Sequence, residues 1–260
     1  MEKEQLYLRM VEDNPFYIKN LENPSDEIKY AAVKKNGAAI QYIKNPTYDI
    51  QLEAIKSNAL AIEYIESPSE EVAMLSVTAS WNALKYVKNP SEAVKEKALA
   101  MKGWAIQYID NPSEEEMIIA VRKDYDAIKH IKNPTIKVQI EAIKNYWGAI
   151  KFIDDPSFEA QVEAIRENEE AITYVEVSGE ENIKAFLKVN INIVKYIHED
   201  VEPIWLDEIL MEVLGHEGVN KKYIIDFLNL EILDMDKLDF IYKYGSKNAK
   251  KIVVDYKLSM

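Results

Sequence analysis

Proline recurs in this chain at Pro24, Pro46, Pro68, Pro90, Pro112, Pro134 and Pro156, each 22 residues after the last. No other feature constrains the fold as strongly, because a fixed period of this length means one supersecondary unit used repeatedly. Counting each Pro as position 1, the shared phrase is P-S-E-E-V-x-x-x-A-I-K-x-N-x-x-A-I-x-Y-I-K-N. Position 9 is Ala32, Ala54, Ser76, Ala98, Ala120, Ala142 and Ala164, and position 16 is Ala throughout, from Ala39 to Ala171. Position 19 is Tyr42, Tyr64, Tyr86, Tyr108, His130, Phe152 and Tyr174. Weaker copies flank these, from Glu2 to Asn23 and from Ser178 to Glu199.

The physics of one unit is readable. Asn, Ser or Asp before each Pro predicts an N-cap with Pro at the first helical position, where its missing N–H costs nothing. Acids such as Glu70, Glu71, Glu114 and Glu115 then meet the positive end of the helix dipole. The helix is expected to stop near position 13, with Gly37 and Gly103 just past it. A shorter helix over positions 15 to 21 carries the A-I-x-Y-I phrase. Positions 5, 7, 9 and 10 of the first helix read as its apolar arc, and positions 4, 8 and 11 as its solvent stripe. One such unit cannot bury its apolar surface alone, so the units must stack. The expected fold is all-α: an α-solenoid of about nine 22-residue two-helix repeats over residues 1–199. Residues 200–260 leave the 22-residue grid but keep helical patterning, from "PIWLDEILMEVLG" onward. They read as a C-terminal helical cap over the end of the stack or as a separate effector or dimerisation module.

The stretch "AIQYIKNPTYDIQLEAIKSNALAIEYI" resembles uncharacterised tandem short-helical-repeat proteins of bacteriophages and bacteria, and the likeness covers about residues 2–199. The resemblance implies an α-solenoid and a phage origin. It carries over no catalytic residue.

Composition narrows the function classes. The net charge of −13 disfavours a nucleic-acid phosphate surface and an anionic membrane. The absence of Cys removes disulfides, thiolate nucleophiles and thiolate metal sites, and fits a reducing cytoplasm. The start, "MEKEQLYLRMVEDNP", has no signal-peptide pattern, and no apolar run is long enough to span a bilayer. His130 fills the ring slot of its repeat, His216 lies in "GHEG" rather than a zinc-protease motif, and Asp234, Asp236 and Asp239 read as an acidic helix start. No glycine-rich phosphate loop occurs. The expectation is a non-enzyme with no catalytic, cofactor or metal residues.

In a repeat scaffold the departures from consensus carry specificity. The turn between helices holds Trp81, Trp104, Tyr125 and Trp147 in the four middle units, with small or charged residues in the outer ones. Leu75 and Ile119 replace polar residues on the solvent stripe nearby. These six form the candidate partner-binding edge, since Trp and Tyr are favoured interface anchors. The other reading is that the rings fold over the adjacent repeat and seal the core. The expected function is therefore a protein-binding solenoid that sequesters an unidentified protein, as an inhibitor or adaptor and, if phage-encoded, in counter-defence. The alternative is an acidic DNA mimic that inhibits a nucleic-acid-binding protein, against which the 32 interspersed Lys and Arg argue.

Overall fold

The computed structural model describes residues 2–259, and every regular element among them is helical. The chain divides into two compact units, Met1–Pro134 and Thr135–Met260.

In the first unit, α1 (Glu2–Asp13), α2 (Asp26–Lys35), α3 (Tyr48–Ser57), α4 (Glu70–Ala79), α5 (Glu92–Met101) and α6 (Glu114–Lys123) alternate with 3-10 helices. Those are η1 (Pro15–Asn20), η2 (Gly37–Tyr42), η3 (Ala59–Tyr64), η4 (Trp81–Tyr86), η5 (Gly103–Tyr108) and η6 (Tyr125–His130). Each α-helix packs on the next α-helix and each 3-10 helix on the next 3-10 helix, which makes two layers. The core lies between them. It consists of positions 5, 9 and 10 of the α-helices, such as Val94, Ala98 and Leu99, and positions 16 and 17 of the 3-10 helices, such as Ala105 and Ile106. Alanine at 9 and 16 lets the layers approach. The molecule is an all-α repeat solenoid.

In the second unit, α7 (Ile136–Asn145), η7 (Trp147–Phe152), α8 (Phe158–Glu167) and η8 (Glu169–Tyr174) repeat the scheme. Then follow α9 (Glu180–Val189), η9 (Ile191–Ile193), α10 (Val194–Ile197) and η10 (His198–Asp200). Four off-grid helices come last: α11 (Pro203–Gly215), α12 (Lys221–Asn229), α13 (Lys237–Tyr244) and α14 (Lys247–Leu258). Of these, α11 rests on α9 and α12 on η9. The Tyr223 hydroxyl of α12 donates to the Leu187 carbonyl at 3.0 Å, and Lys184 and Lys188 of α9 pair with Glu208 and Glu212 of α11.

Several local expectations are corrected. The N-cap is the residue after each Pro, not before it: the Ser69, Ser91, Ser113, Thr135 and Ser157 hydroxyls accept helix-start N–H bonds. The preceding Asn23, Asn45, Asn89, Asn111 and Asn133 instead adopt left-handed φ of 47 to 51°. Proline forbids right-handed α to its predecessor, and Asn tolerates the left-handed region better than other side chains. The second helix is 3-10, over positions 14 to 19. Asn36, Asn58 and Asn168 end one helix and cap the next at once, their side-chain oxygens accepting from Ala38, Leu60 and Glu170 N–H. Gly37 and Gly103 do not take the left-handed C-terminal conformation. A Cβ there would stand 2.1 and 2.2 Å from the Ala54 and Ala120 carbonyl oxygens, so they are required by close approach to the following α-helix. Position 7 reaches the core in one of the seven Pro-led repeats: Ile118 is buried, Leu52, Met74, Ile140 and Val162 are half-buried, and Tyr30 and Glu96 are exposed. Position 8 is mostly half-buried in the inter-helix groove, and only positions 4 and 11 are fully a solvent stripe.

Candidate functional site

All six candidate residues are half-buried. Trp81, Tyr125 and Trp147 occupy the first position of η4, η6 and η7, and Trp104 the second position of η5. Their rings are not free. Trp81 stacks on Tyr108, with centroids 6.1 Å apart and planes at 21°. Trp104 meets His130 edge-on at 5.6 Å, and its indole N–H donates to Asp126 Oδ1 at 2.8 Å. Trp147 lies against Tyr146 and Tyr174 at 5.7 and 6.4 Å. The rule is common: the ring opening one 3-10 helix leans on the position-19 ring of the next repeat, as Phe16 does on Tyr42. Cations cover some faces from within the chain. Lys102 Nζ stands 5.2 Å from Trp104, and Lys151 Nζ stands 5.0 Å from Trp147 and 4.3 Å from Tyr174. The Trp81, Trp104 and Trp147 rings bridge repeats and stay half-buried.

Leu75 and Ile119 belong to the other layer. They are position-8 residues of α4 and α6. Leu75 lines a groove of about 890 Å³ between α3 and α4, with Tyr48, Leu52, Lys56, Glu71, Met74 and Thr78. Its two walls are straight rows: Tyr48, Leu52 and Lys56 at four-residue spacing on α3, and Glu71, Leu75 and Thr78 at the same kind of spacing on α4. Residues so spaced share one helix face. Leu52 and Met74 are functional candidates that the sequence reading missed, because position 7 was assigned to the core. The charged Glu96 at position 7 of α5 was the available signal.

The carboxylates beside this groove are held in place. Tyr30 hydroxyl donates to Glu53 at 2.9 Å, Tyr48 hydroxyl donates to Glu71, and Ser91 hydroxyl donates to Glu70 at 2.6 Å. The bond to Glu53 pushes the Tyr30 phenol above its ordinary pKa, and the bond to Glu71 does the same for Tyr48; burial adds less. Ion pairs on the α-helices of the first unit include Asp26–Lys29 and Lys95 with Glu92 and Glu116. Glu116 is a departure of another kind. It fills position 5, an Ile, Val or Ala slot in the other Pro-led repeats, and is only 4% exposed. Its Oε2 accepts from Ser113 N–H at 2.7 Å, and its Oε1 lies 3.2 Å from Lys95 Nζ.

The remaining polar candidates have structural places. His216 Nδ1 accepts from Gly218 N–H, and Asp236 caps α13 by accepting from Asp239 N–H. Among the described residues no group of three or more His, Asp or Glu is placed to hold a metal ion, and no helix is long and apolar enough to cross a membrane. No family model, curated protein or solved structure matches the chain.

Proposed function

We propose that this chain is a non-enzymatic, protein-binding α-solenoid that works in the cytoplasm as an inhibitor or adaptor by sequestering a partner protein. One observation carries the reading: Leu52, Met74 and Leu75 form an apolar wall pair on the α-layer, flanked by fixed carboxylates, in a scaffold that places Glu96 and Lys97 at the same positions one repeat later. Leu75 stands where Glu53, Lys97, Glu141 and Glu163 stand in other repeats, and an apolar residue at such a position beside the half-buried Leu52 and Met74 is what an interface core requires. The half-buried rings of Trp81, Trp104, Tyr125 and Trp147 on the 3-10 layer are a second contact surface under the same reading. An acidic DNA mimic asks for an unbroken negative face, and Lys34, Lys56 and Arg122 at the far ends of the same helices interrupt it.

The test is site-specific photo-crosslinking in the native host, with a benzophenone side chain at Thr78 on the α-layer and at Gln107 on the 3-10 layer. Any captured protein is then purified and recombined with the chain. A stoichiometric complex reconstituted from purified components supports the reading. Capture of nothing that reassembles at either position overturns it. A complex that dissolves steeply as salt rises favours the mimic, since exposed charge contacts are screened within about 10 Å at 0.1 M.

A further inference from the structure

From the groove between α3 and α4 we infer the chemistry of the partner segment: an amphipathic α-helix with apolar anchors on one face, Lys or Arg in its last turn and Asp or Glu in its first, docked antiparallel to α3 and α4. The inference rests on the protein-binding reading. The groove runs along two helices of ten residues each, about 15 Å at 1.5 Å per residue. Its α3 wall presents Leu52 one turn after Tyr48, and its α4 wall presents Met74 and Leu75 one turn after Glu70 and Glu71. Ridges at this spacing receive the i, i+4 ridges of a third helix. A β-strand finds no exposed sheet edge here to extend.

Charge sets the direction. One end of the groove carries Glu70 and Glu71, and the other carries Lys56. Glu70 accepts from the Ser91 hydroxyl and Glu71 from the Tyr48 hydroxyl, which holds both carboxylates at the start of α4. A helix running antiparallel brings its C-terminal turn to Glu70 and Glu71. Cations in that turn pair with the carboxylates, and its negative dipole end meets the positive N-terminal ends of α3 and α4. Its first-turn acid then lies beside Lys56. A parallel helix places the like ends of the dipoles together. The neighbouring groove lacks this pattern, because α5 presents Glu96 and Lys97 at positions 7 and 8.

The experiment uses the full chain and two synthetic, end-blocked helical peptides of about 16 residues, long enough to hold helix in water. Both carry Leu at i, i+4 and i+7. One has Glu in the first turn and Lys in the last, and the other has these charges exchanged. Binding is read by fluorescence anisotropy. The first peptide is expected to bind at least about tenfold more tightly, a difference of one decade in Kd. Leu75→Glu and Glu71→Lys are expected to weaken it by about tenfold or more with unchanged melting. Both variants suit the scaffold: position 8 is Glu53, Glu141 and Glu163 in other repeats, and position 4 is Lys137 in another. Equal affinity of the two peptides, or an unchanged affinity of Leu75→Glu, overturns the inference. A native partner that crosslinks only from Gln107, with no peptide binding, overturns the groove assignment and leaves the protein-binding reading standing. The absence of any reassembling protein complex overturns that reading itself.

Discussion

Tyr223 is a phenol almost wholly inside the second unit, and burial pushes its pKa far above the ordinary value near 10. A raised folded pKa means that its contribution to stability is intact below about pH 10 and is lost as pH climbs from there toward the folded value. Tyr223→Phe removes the bond to the Leu187 carbonyl and is expected to cost about 1 kcal/mol at neutral pH. The gap in Tm between the two proteins should then narrow between about pH 7 and about pH 11, because Phe has no proton to lose. A gap that stays constant would mean that the phenol is not held neutral. Trp104 gives a complementary test. Its ring spans two repeats and its N–H is bonded to Asp126, so Trp104→Ala is expected to destabilise by about 1–3 kcal/mol, below the range for a wholly buried Trp. A melting curve reads it, and an unchanged Tm would mean that the ring contributes only an exposed edge. Sequence placed these rings in the turn between the helices, whereas they are the first or second residues of the 3-10 helices. It could not show that Trp81 leans on Tyr108, because that contact depends on how far one repeat is rotated on the next.

At the scale of elements, the helix ends are where reading and structure part. Asn-Pro looks like a cap followed by the first helical residue, and it is that at Asn14 and Pro15, where the Asn14 side chain accepts from Phe16 N–H. In the full repeats a Ser or Thr follows the Pro and is the N-cap, two residues after the Asn position, and in five of the seven its hydroxyl accepts a helix-start N–H. Both dipeptides satisfy the same local rules, so sequence alone does not choose between them. The consequence is measurable. Ser113→Ala removes a capping box and is expected to cost about 1 kcal/mol. Asn111→Ala forces an alanine into φ of 50°, at about 1–2 kcal/mol, whereas Asn111→Gly relieves that strain. Were the Asn the cap, Ser113→Ala would be neutral. The 3-10 character of the second helix was equally hidden. Over six residues, periods of 3.0 and 3.6 place Ala105, Ile106 and Ile109 on nearly the same side. Only the eclipsed pair three apart, such as Trp104 with the Gln107 side chain on its carbonyl, distinguishes them.

For the whole molecule, the repeat was legible because every unit solves the same packing problem with the same residues. The packing of the off-grid helices was not, since no internal copy shows which face of α11 meets α9. If each repeat touches only its neighbours, one can be excised. Deleting Pro90 to Asn111 joins Asn89 to Pro112 in register and replaces the contact of α4 with α5 by one with α6. Trp81 then meets His130 in place of Tyr108, a ring for a ring. Of the interactions lost with the excised repeat, among them Lys102 with Asp124 and Trp104 with Asp126, one strips a buried charge. Glu116 loses Lys95 and faces Ala73, which stands at Lys95's position in the preceding repeat. A buried carboxylate stripped of its cation costs about 3–5 kcal/mol. The shortened chain is therefore expected to fold with a markedly lower Tm, and Glu116→Val, which restores the residue type found at Val72, Val94 and Val138, is expected to recover most of the loss. In the full-length chain the same substitution should help far less, because there Lys95 partly compensates the charge. Removing half a repeat, Pro90 to Ala100, misplaces every following helix by half a period and should abolish the cooperative melt. Equal tolerance of the two deletions, or no rescue by Glu116→Val, would show that stability is not transmitted from neighbour to neighbour along the stack.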